Sequence, residues 1–262
     1  MKMNDWLLYE VENQVATVTI NRPEKKNAMS YQMLSEFIEM MARASDDDSA
    51  KVVILTGVGG SFCAGTDLAD LVTIPGETRG LRGSAEEESR WWPIVACKKP
   101  VIAAIDGPAV GMGAEFSSQC DIRIASTRAR FAWNFAHRGL VPDTGAGSWL
   151  LPRLIGASQA FWLLYSGEFI TAAEAKELTY VSKVVEPENL LEEAKKMANI
   201  IVQGSPFSHR RIKSLVYEGL GIDIASHMKN HTKALSECFK SDDHKEGVAS
   251  FLERRPAEFT GK

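Results

Sequence analysis

Cysteine is scarce in this chain and forms no motif. The 262 residues include four cysteines, which are widely spaced and build neither a Cys-x-x-Cys pair nor a mixed cysteine and histidine pattern. Isolated thiols of this kind are typical of a reduced cytosolic protein, in which they pack as small apolar side chains. We therefore expect reduced thiols and a cytoplasmic location.

Long apolar runs and an excess of positive charge are also missing. No segment approaches about 18 uninterrupted apolar residues, the length that indicates a membrane-spanning helix, and charge precedes any apolar run at the start of the chain, unlike in a secretory leader. The formal net charge is −4, whereas nucleic-acid-binding domains are usually basic. We expect no membrane association and no nucleic-acid partner.

Histidine is rare as well, with five residues in the chain. His227 and His231 are four residues apart, a spacing at which two histidines on one helix can share a metal ion. Because no carboxylate or third ligand accompanies them, we favour a polar helix face and predict no metal site.

The residues that are present suit a globular protein with a large core. The chain is 45% hydrophobic and 24% charged, an ordinary balance for a globular domain of this length. Strand-like segments alternate with turns and helices in the first half, which predicts an α/β core with parallel strands. The expected strands are Leu7–Glu10, Val15–Ile20, Val52–Leu55, Val101–Ile105 and Ile122–Ala125, and helices are expected after Ser30, from Ala85 to Cys97 and after Met112.

The second half is predicted to be mainly helical. From Gly145 onward one strand, Val181–Val185, interrupts a series of helices that continues to Glu253, with joints near Ile222, His227 and Asp242–His244. Such trailing helices usually bury an apolar face on the core or on a second subunit. The segment Val72–Ser84, rich in glycine and charge, is predicted to be a loop that covers a site.

A glycine-rich turn, Gly107–Gly113, runs into a helix whose first turn carries Glu115. The first N–H groups of a helix have no partner within it, so a turn with small side chains can direct them at a developing negative charge. Taken alone, such a glycine pattern is more often plain turn chemistry. Glu115 is accordingly either a charge at a helix end or a general acid/base.

The loop Gly139–Gly147 places a second carboxylate, Asp143, among apolar residues and glycines. With few solvating neighbours a carboxylate becomes a usable base near neutral pH. The alternative is a turn in which Asp143 caps the next helix.

A second turn, Ala64-Gly65-Thr66, follows the strand Val52–Leu55. Turns after neighbouring parallel strands meet at the carboxyl ends of those strands, where open α/β sheets place their ligands. Two N–H donors that converge there on one oxygen form an oxyanion hole.

Together these segments make the chain resemble the crotonase superfamily, the enoyl-CoA hydratase/isomerase family, over essentially its whole length. The resemblance implies an α/β fold, a spiral of ββα units in residues 1–200, and a C-terminal helical region for trimerisation in residues 201–262. It implies an acyl-CoA thioester as the partner, no cofactor because coenzyme A is part of the substrate, and a homotrimer or a dimer of trimers. The motifs that carry it are Asn21–Ala28, Phe62–Leu68, Lys99–Gly107, Gly111–Glu115 and Cys120-Asp121.

The resemblance also implies roles for individual residues. The oxyanion-hole amides fall on Thr66 and Met112. The pair of catalytic glutamates falls on Glu115 and on a position that Phe135 occupies here, which is a departure because Phe135 cannot activate water. Asp143 lies where several relatives carry a different acid, so Glu115 and Asp143 are the expected catalytic residues. Substrate contacts are implied for Ala64, Asp67, Gly113, Phe135, Phe251 and Arg254.

Two reactions of an enoyl-CoA remain nearly equal at this point. Proton shuttling between carbons needs one acid beside an apolar wall, whereas hydration needs Glu115 and Asp143 to hold one water together. The Gly139–Asp143 run and the end of the chain are most similar to ring-type epoxyphenylacetyl-CoA isomerases, a branch that lacks the acid at the Glu115 position. A scaffold protein without catalytic activity is the remaining alternative.

Overall fold

The computed structural model describes residues 5–69 and 92–262. The covering loop predicted over Val72–Ser84 lies outside the described residues, and so does most of the helix expected from Ala85 to Cys97. In the described part of that range, Pro93–Ala96 form one short helical turn, α2, with Trp92 as its N-cap residue.

The larger sheet has the parallel core that the sequence predicts. β1 and β2 form an antiparallel hairpin through Asn13 and Gln14, which both have positive φ, and the remaining strands pair in parallel. In spatial order the described strands are β1 (Leu7–Glu12), β2 (Val15–Ile20), β3 (Val52–Gly57), β4 (Val101–Ile105), β6 (Ile122–Ser126) and β9 (Lys183–Val185).

A second, smaller sheet contains strands too short to be predicted. It consists of β5 (Pro108–Val110), β7 (Arg130–Ala132) and β8 (Ile170–Thr171), with β5 and β7 parallel and β7 and β8 antiparallel. Cys63 pairs with Ala109 of β5 in a parallel bridge. Each turn of the chain thus places a long strand in the large sheet and then a short segment beside the small one, which builds a spiral of ββα units.

The large sheet is covered on both faces. α1 (Tyr31–Asp46) begins at Ser30, whose hydroxyl accepts from Met33 N, and it buries the predicted face that includes Phe37 and Met41. α8 (Leu190–Val202) packs against the opposite face through Leu190, Ala194, Ala198 and Val202. Since β3 is buried on both sides, its sequence is continuously apolar.

The helix after the glycine-rich turn, α3 (Met112–Gln119), is buried along its whole length. It lies inside the spiral, so a polar side chain on it needs a partner from another segment. Buried Glu115 on this helix therefore depends on groups from other segments for its hydrogen bonds.

The helices predicted after Gly145 are confirmed. Four of the described helices lie between Gly145 and α8, namely α4 (Ala146–Trp149), α5 (Leu151–Ile155), α6 (Ala157–Ser166) and α7 (Ala172–Glu177). Three more form the C-terminal region: α9 (Pro206–Gly219), α10 (Ile224–Lys240) and α11 (Asp242–Glu253). The joints predicted near Ile222 and Asp242 are confirmed, while His227 lies in the first turn of α10.

Within residues 5–69 and 92–262, no helix is both long enough and apolar enough to cross a bilayer. The same ranges contain no group of three metal-ligating side chains; the His227 and His231 rings lie 6.4 Å apart on α10.

Candidate active site

The two turns singled out in the sequence lie side by side. Val110 N donates to Cys63 O at 3.0 Å, and Cys63 N donates to Pro108 O at 3.0 Å, so the segment before Thr66 pairs with β5 like a strand. A Cβ placed on Gly65 would lie 2.9 Å from Val110 O and 3.7 Å from Met112 N. Backbone pairing therefore brings the two turns together.

Gly113 permits this close approach. A Cβ at that position would overlap the carbonyl oxygen of Cys63. Since that oxygen is also the acceptor for Val110 N, any larger residue would push the two turns apart.

The amides of Thr66 and Met112 point to no protein acceptor. Within the part of the chain that the structure describes, neither Thr66 N nor Met112 N donates a hydrogen bond. Met112 is the first residue of α3, where an amide has no partner inside the helix. Two neighbouring N–H groups are thus available to one ligand oxygen.

The Asn21–Ala28 segment holds the Ala64-Gly65-Thr66 turn in place. Asn27 is fully buried, and its side-chain amide donates to Val58 O at 2.9 Å and to Ser61 O at 2.6 Å. Ala64 N donates to Lys26 O at 3.0 Å. These bonds fix the path of the chain into Gly65 and Thr66.

Asp67 takes part in the same bracing. Its carboxylate forms an ion pair with Arg22 at 2.8 Å, and the Ala69 amide together with Arg22 holds the pKa of Asp67 below its usual value. The side chain predicted to contact substrate is therefore engaged with the protein. Its backbone N–H is engaged as well, since it donates to Met29 O at 2.7 Å, so the contact of Asp67 with substrate stays a prediction.

Glu115 is fully buried in the first turn of α3. Thr144 Oγ1 donates to Glu115 Oε2 at 2.8 Å, whereas Oε1 is buried with no hydrogen-bond partner among the described residues. Burial first, and then the charge of Asp143, raise the pKa of Glu115 to about 7. A residue with this environment is no ordinary helix-end charge.

Asp143 forms the other acid of the cluster. Thr66 Oγ1 lies 3.5 Å from Asp143 Oδ2, and Oδ1 is buried without a hydrogen-bond partner in the described ranges. Burial raises the pKa of Asp143 to about 6. The alternative role as a helix cap is wrong, because α4 begins at Ala146 and its N-cap residue is Gly145, which forms no side-chain cap hydrogen bond.

Phe135 provides an apolar wall beside the Gly107–Gly113 turn. It is buried, and its ring atom Cζ lies 3.9 Å from the point where a Cβ on Gly111 would be. At the position where the family resemblance places a glutamate, the aromatic ring of Phe135 therefore lies next to the Met112 turn. Glu115 and Asp143 are the carboxylates that remain near this turn.

Two candidate residues stay apart from the others in this single chain. Phe251 is 82% exposed near the end of α11, and Arg254 is exposed just after it. No hydrogen bond, ion pair or ring contact joins either to the described site, so their predicted contact with substrate remains a prediction. The structure does gather Ala64, Thr66, Asp67, Met112, Gly113, Glu115, Phe135 and Asp143 in one place.

Sequence reasoning missed Thr144, which lies between the two acids. Its hydroxyl binds Glu115, and its carbonyl oxygen accepts from Trp92 Nε1 at 2.8 Å. The signal was a hydroxyl residue next to Asp143 in a loop of glycines, but turn residues of this type have many local uses. The contact with Glu115 spans 29 residues of sequence.

Comparison with known proteins decides the family. The family model described as enoyl-CoA hydratase/isomerase matches residues 10–262. The chain belongs to this family. A short-chain-enoyl-CoA hydratase from Clostridium acetobutylicum is 37% identical over 262 residues, which cover 98% of both chains.

Other relatives of the enoyl-CoA hydratase/isomerase family carry different reaction names. A 1,2-epoxyphenylacetyl-CoA isomerase from Escherichia coli is 35% identical over 267 residues and covers 99% of this chain and 100% of the relative. A crystal structure of enoyl-CoA hydratase from Bacillus anthracis superposes with a TM-score of 0.91 at 31% identity and covers 98% of this chain and 100% of that one. The fold is the crotonase fold, and sequence identity alone does not separate the two named reactions.

Proposed function

We propose that the protein is an enoyl-CoA hydratase/isomerase that acts on an acyl-CoA thioester through an enolate. One observation carries the proposal: two amides that meet no acceptor among the described residues lie beside two buried carboxylates whose pKa values are raised to about 7 and about 6. The named activities of the hydratase and isomerase relatives support the same substrate class. Coenzyme A enters as part of the substrate, so the reaction needs no cofactor.

The amides of Thr66 and Met112 are proposed to form the oxyanion hole. The thioester carbonyl oxygen accepts both N–H groups and becomes negatively charged as the enolate forms. One such donor stabilises the transition state by about 2.7–4 kcal/mol. Since the donors belong to the backbone, they are already oriented before substrate binds.

The carboxylates are proposed to move the protons. In the double-bond shift, Asp143 removes a proton from C2 of a 3-enoyl-CoA and returns it to C4, giving the 2-enoyl-CoA. In hydration, the water oxygen attacks C3 while one carboxyl group takes the water proton and the other delivers a proton to C2. Raised pKa values suit both steps, because each acid then takes up and releases protons near neutral pH.

Substitution of each acid distinguishes the two reactions. We expect Asp143→Asn to abolish conversion of 3-enoyl-CoA to 2-enoyl-CoA, whereas Glu115→Gln retains part of it, because one base serves both carbons. If hydration dominates, both variants lose nearly all activity on 2-enoyl-CoA, because one water needs both carboxyl groups. Product analysis after incubation with each substrate gives the result.

The matched control is Glu168→Gln, which neutralises an exposed acid and leaves both rates unchanged. Full activity of Asp143→Asn on every substrate would contradict the assignment of this residue. If the unmodified protein converts no enoyl-CoA, the scaffold alternative replaces the proposed function. Turnover of a ring-type epoxide substrate instead of a chain substrate would favour the reaction of the Escherichia coli relative.

We further propose that the protein assembles as a homotrimer or a dimer of trimers and works in the cytoplasm. None of the 17 residues of α10 is buried within the chain. Its apolar side chains Ile224, Met228, Leu235 and Phe239 are between 44% and 74% exposed, and their spacing places them on one face of the helix. A second copy of the chain would cover this face, and Phe251 could then approach a neighbouring site.

A further inference from the structure

The two acids share one pattern of hydrogen bonding. In each, one carboxylate oxygen faces a threonine hydroxyl, and the other oxygen is buried with no hydrogen-bond partner among the described residues. The contact of Thr144 Oγ1 with Glu115 Oε2 is short at 2.8 Å, whereas that of Thr66 Oγ1 with Asp143 Oδ2 is 3.5 Å. The two carboxylate oxygens therefore differ more in their hydrogen bonding in Glu115 than in Asp143.

Among the described residues, the hydroxyl of Thr144 meets two donors and one acceptor. Ala146 N lies 3.3 Å from Thr144 Oγ1 and Gln119 Nε2 lies 3.4 Å from it, both as donors. A hydroxyl has one hydrogen and two acceptor lone pairs. Because the two N–H groups occupy the lone pairs, the hydrogen goes to Glu115 Oε2, which accepts it.

Thr144 is itself held in place. It is 7% exposed, and Trp92 Nε1 donates to its carbonyl oxygen at 2.8 Å. The branching at Cβ further restricts its side-chain rotation. The direction of its hydroxyl is thus a fixed property of the loop.

We propose that Thr144 is a positioning residue that reserves Glu115 Oε1 as the oxygen that exchanges the proton. With Oε2 committed as an acceptor, a proton carried by Glu115 resides on Oε1. This inference rests on the proposed function, since it specifies which atom of Glu115 faces the reaction. It assigns to Thr144 a role that no motif in the sequence indicated.

The charges around Glu115 favour this arrangement. Asp143 is the charged side chain that faces it in the described structure, and its charge raises the pKa of Glu115. Cys63, on the segment that packs against α3, stays neutral because burial raises the pKa of its thiol to about 12. The nearby amide of Gly147, the Thr144 hydroxyl and the amide of Ala146 act in the opposite sense and lower the pKa of Glu115, although neither amide reaches hydrogen-bond geometry with Oε1.

Two substitutions of Thr144 test the proposal. Thr144→Val keeps the shape and removes the hydroxyl, and we expect kcat to fall about 10- to 100-fold, the usual effect of losing a hydrogen bond to a charged group, with KM changed little. The pH at which Glu115 titrates in the rate profile should rise, because its charged form loses a donor. Thr144→Ser restores the hydroxyl and should restore both values.

Thr56→Val is the matched control. Thr56 Oγ1 on β3 donates to Ala104 O on β4 at 2.9 Å, so its removal costs a part-buried hydrogen bond of similar length that involves neither acid. We expect a lower melting temperature and an unchanged pH profile. If Thr144→Val shows the same pattern as Thr56→Val, Thr144 is merely structural and the proposal is overturned.

A second readout does not depend on turnover. Infrared difference spectra recorded against pH follow the protonated carboxyl band that disappears in Glu115→Gln. In Thr144→Val the midpoint of this band should move to higher pH, and in Thr144→Ser it should stay at the parent value. An unmoved midpoint in Thr144→Val overturns the proposal, whereas a moved midpoint in a protein without activity would reject only the proposed function.

Discussion

The chemistry of single residues in this site is set by neighbours that are distant in sequence. Glu115 belongs to α3, yet the groups that tune it come from the 143–147 loop. A Cβ on Gly147 would overlap Glu115 Oε1, so the loop approaches the carboxylate with its backbone. This proximity makes both the position and the pKa of Glu115 properties of the folded chain.

The amide of Met112 can be removed without changing the course of the helix. Proline is tolerated at the first position of a helix, and it has no N–H. We expect Met112→Pro to lower turnover by about 100-fold or more in a steady-state assay with an enoyl-CoA. Since the Met112 side chain is 3% exposed, the matched control is Met112→Leu, which keeps the volume. Equal activity of the two variants would reject Met112 as a donor.

The sequence singled out residues that the structure brings together, but it did not predict the contacts between their atoms. Glu115 and Gly113 belong to a motif, and Asp143 stands out in an apolar loop, so local pattern was enough to find them. The bond from Thr144 to Glu115 arises only when the spiral closes, and no local pattern encodes it. The engagement of Asp67 with Arg22, which are 45 positions apart in the numbering, escaped prediction for the same reason.

At the scale of secondary structure, burial determines which elements could be predicted. β3 and β4 are buried on both faces and read as continuous apolar runs. β7 and β8 have three and two residues, too few to show a period. The small sheet, which aligns Cys63 with β5, was not predicted. Its strands are so short that only their pairing with other segments identifies them.

Helix α10 offers a test of assembly. A charge placed on its apolar face should oppose burial against a second copy. We expect Met228→Glu and Leu235→Glu to reduce the mass measured by light scattering from a trimer or its multiple towards that of one chain. Lys233→Glu, on the opposite face of the same helix, should leave the mass unchanged. A monomeric parent protein, or a trimer in both variants, would contradict the proposed interface.

At the scale of the whole molecule, the sheet acts as a rigid support for a site at one of its ends. The two turns follow β3 and β4, which are neighbours in the sheet and pair over four residues. Their carboxyl ends are therefore held together, and the segments after them start from fixed positions. The helices of the second half close the remaining sides, with α4 and its preceding loop over α3.

The burial of two acids has a consequence for the stability of the molecule. Both pKa values are raised above their ordinary values of 4.5 and 3.8, so the folded chain binds protons more tightly than the unfolded chain. Folding near neutral pH is then accompanied by proton uptake. The contribution of these two groups to the free energy of unfolding is highest below about pH 4. It decreases as the pH rises through about 6 and about 7, by about 3 kcal/mol for Glu115 alone.

Urea unfolding of the parent and of Glu115→Gln at pH 5 and at pH 8 measures this linkage. The parent should lose more stability between the two pH values than the variant, which has no proton to release at that position. An equal loss in both would mean that Glu115 titrates normally. The two buried acids thus lower the stability of the folded chain in mild alkali, and any ligand that binds only the folded chain would restore part of that stability.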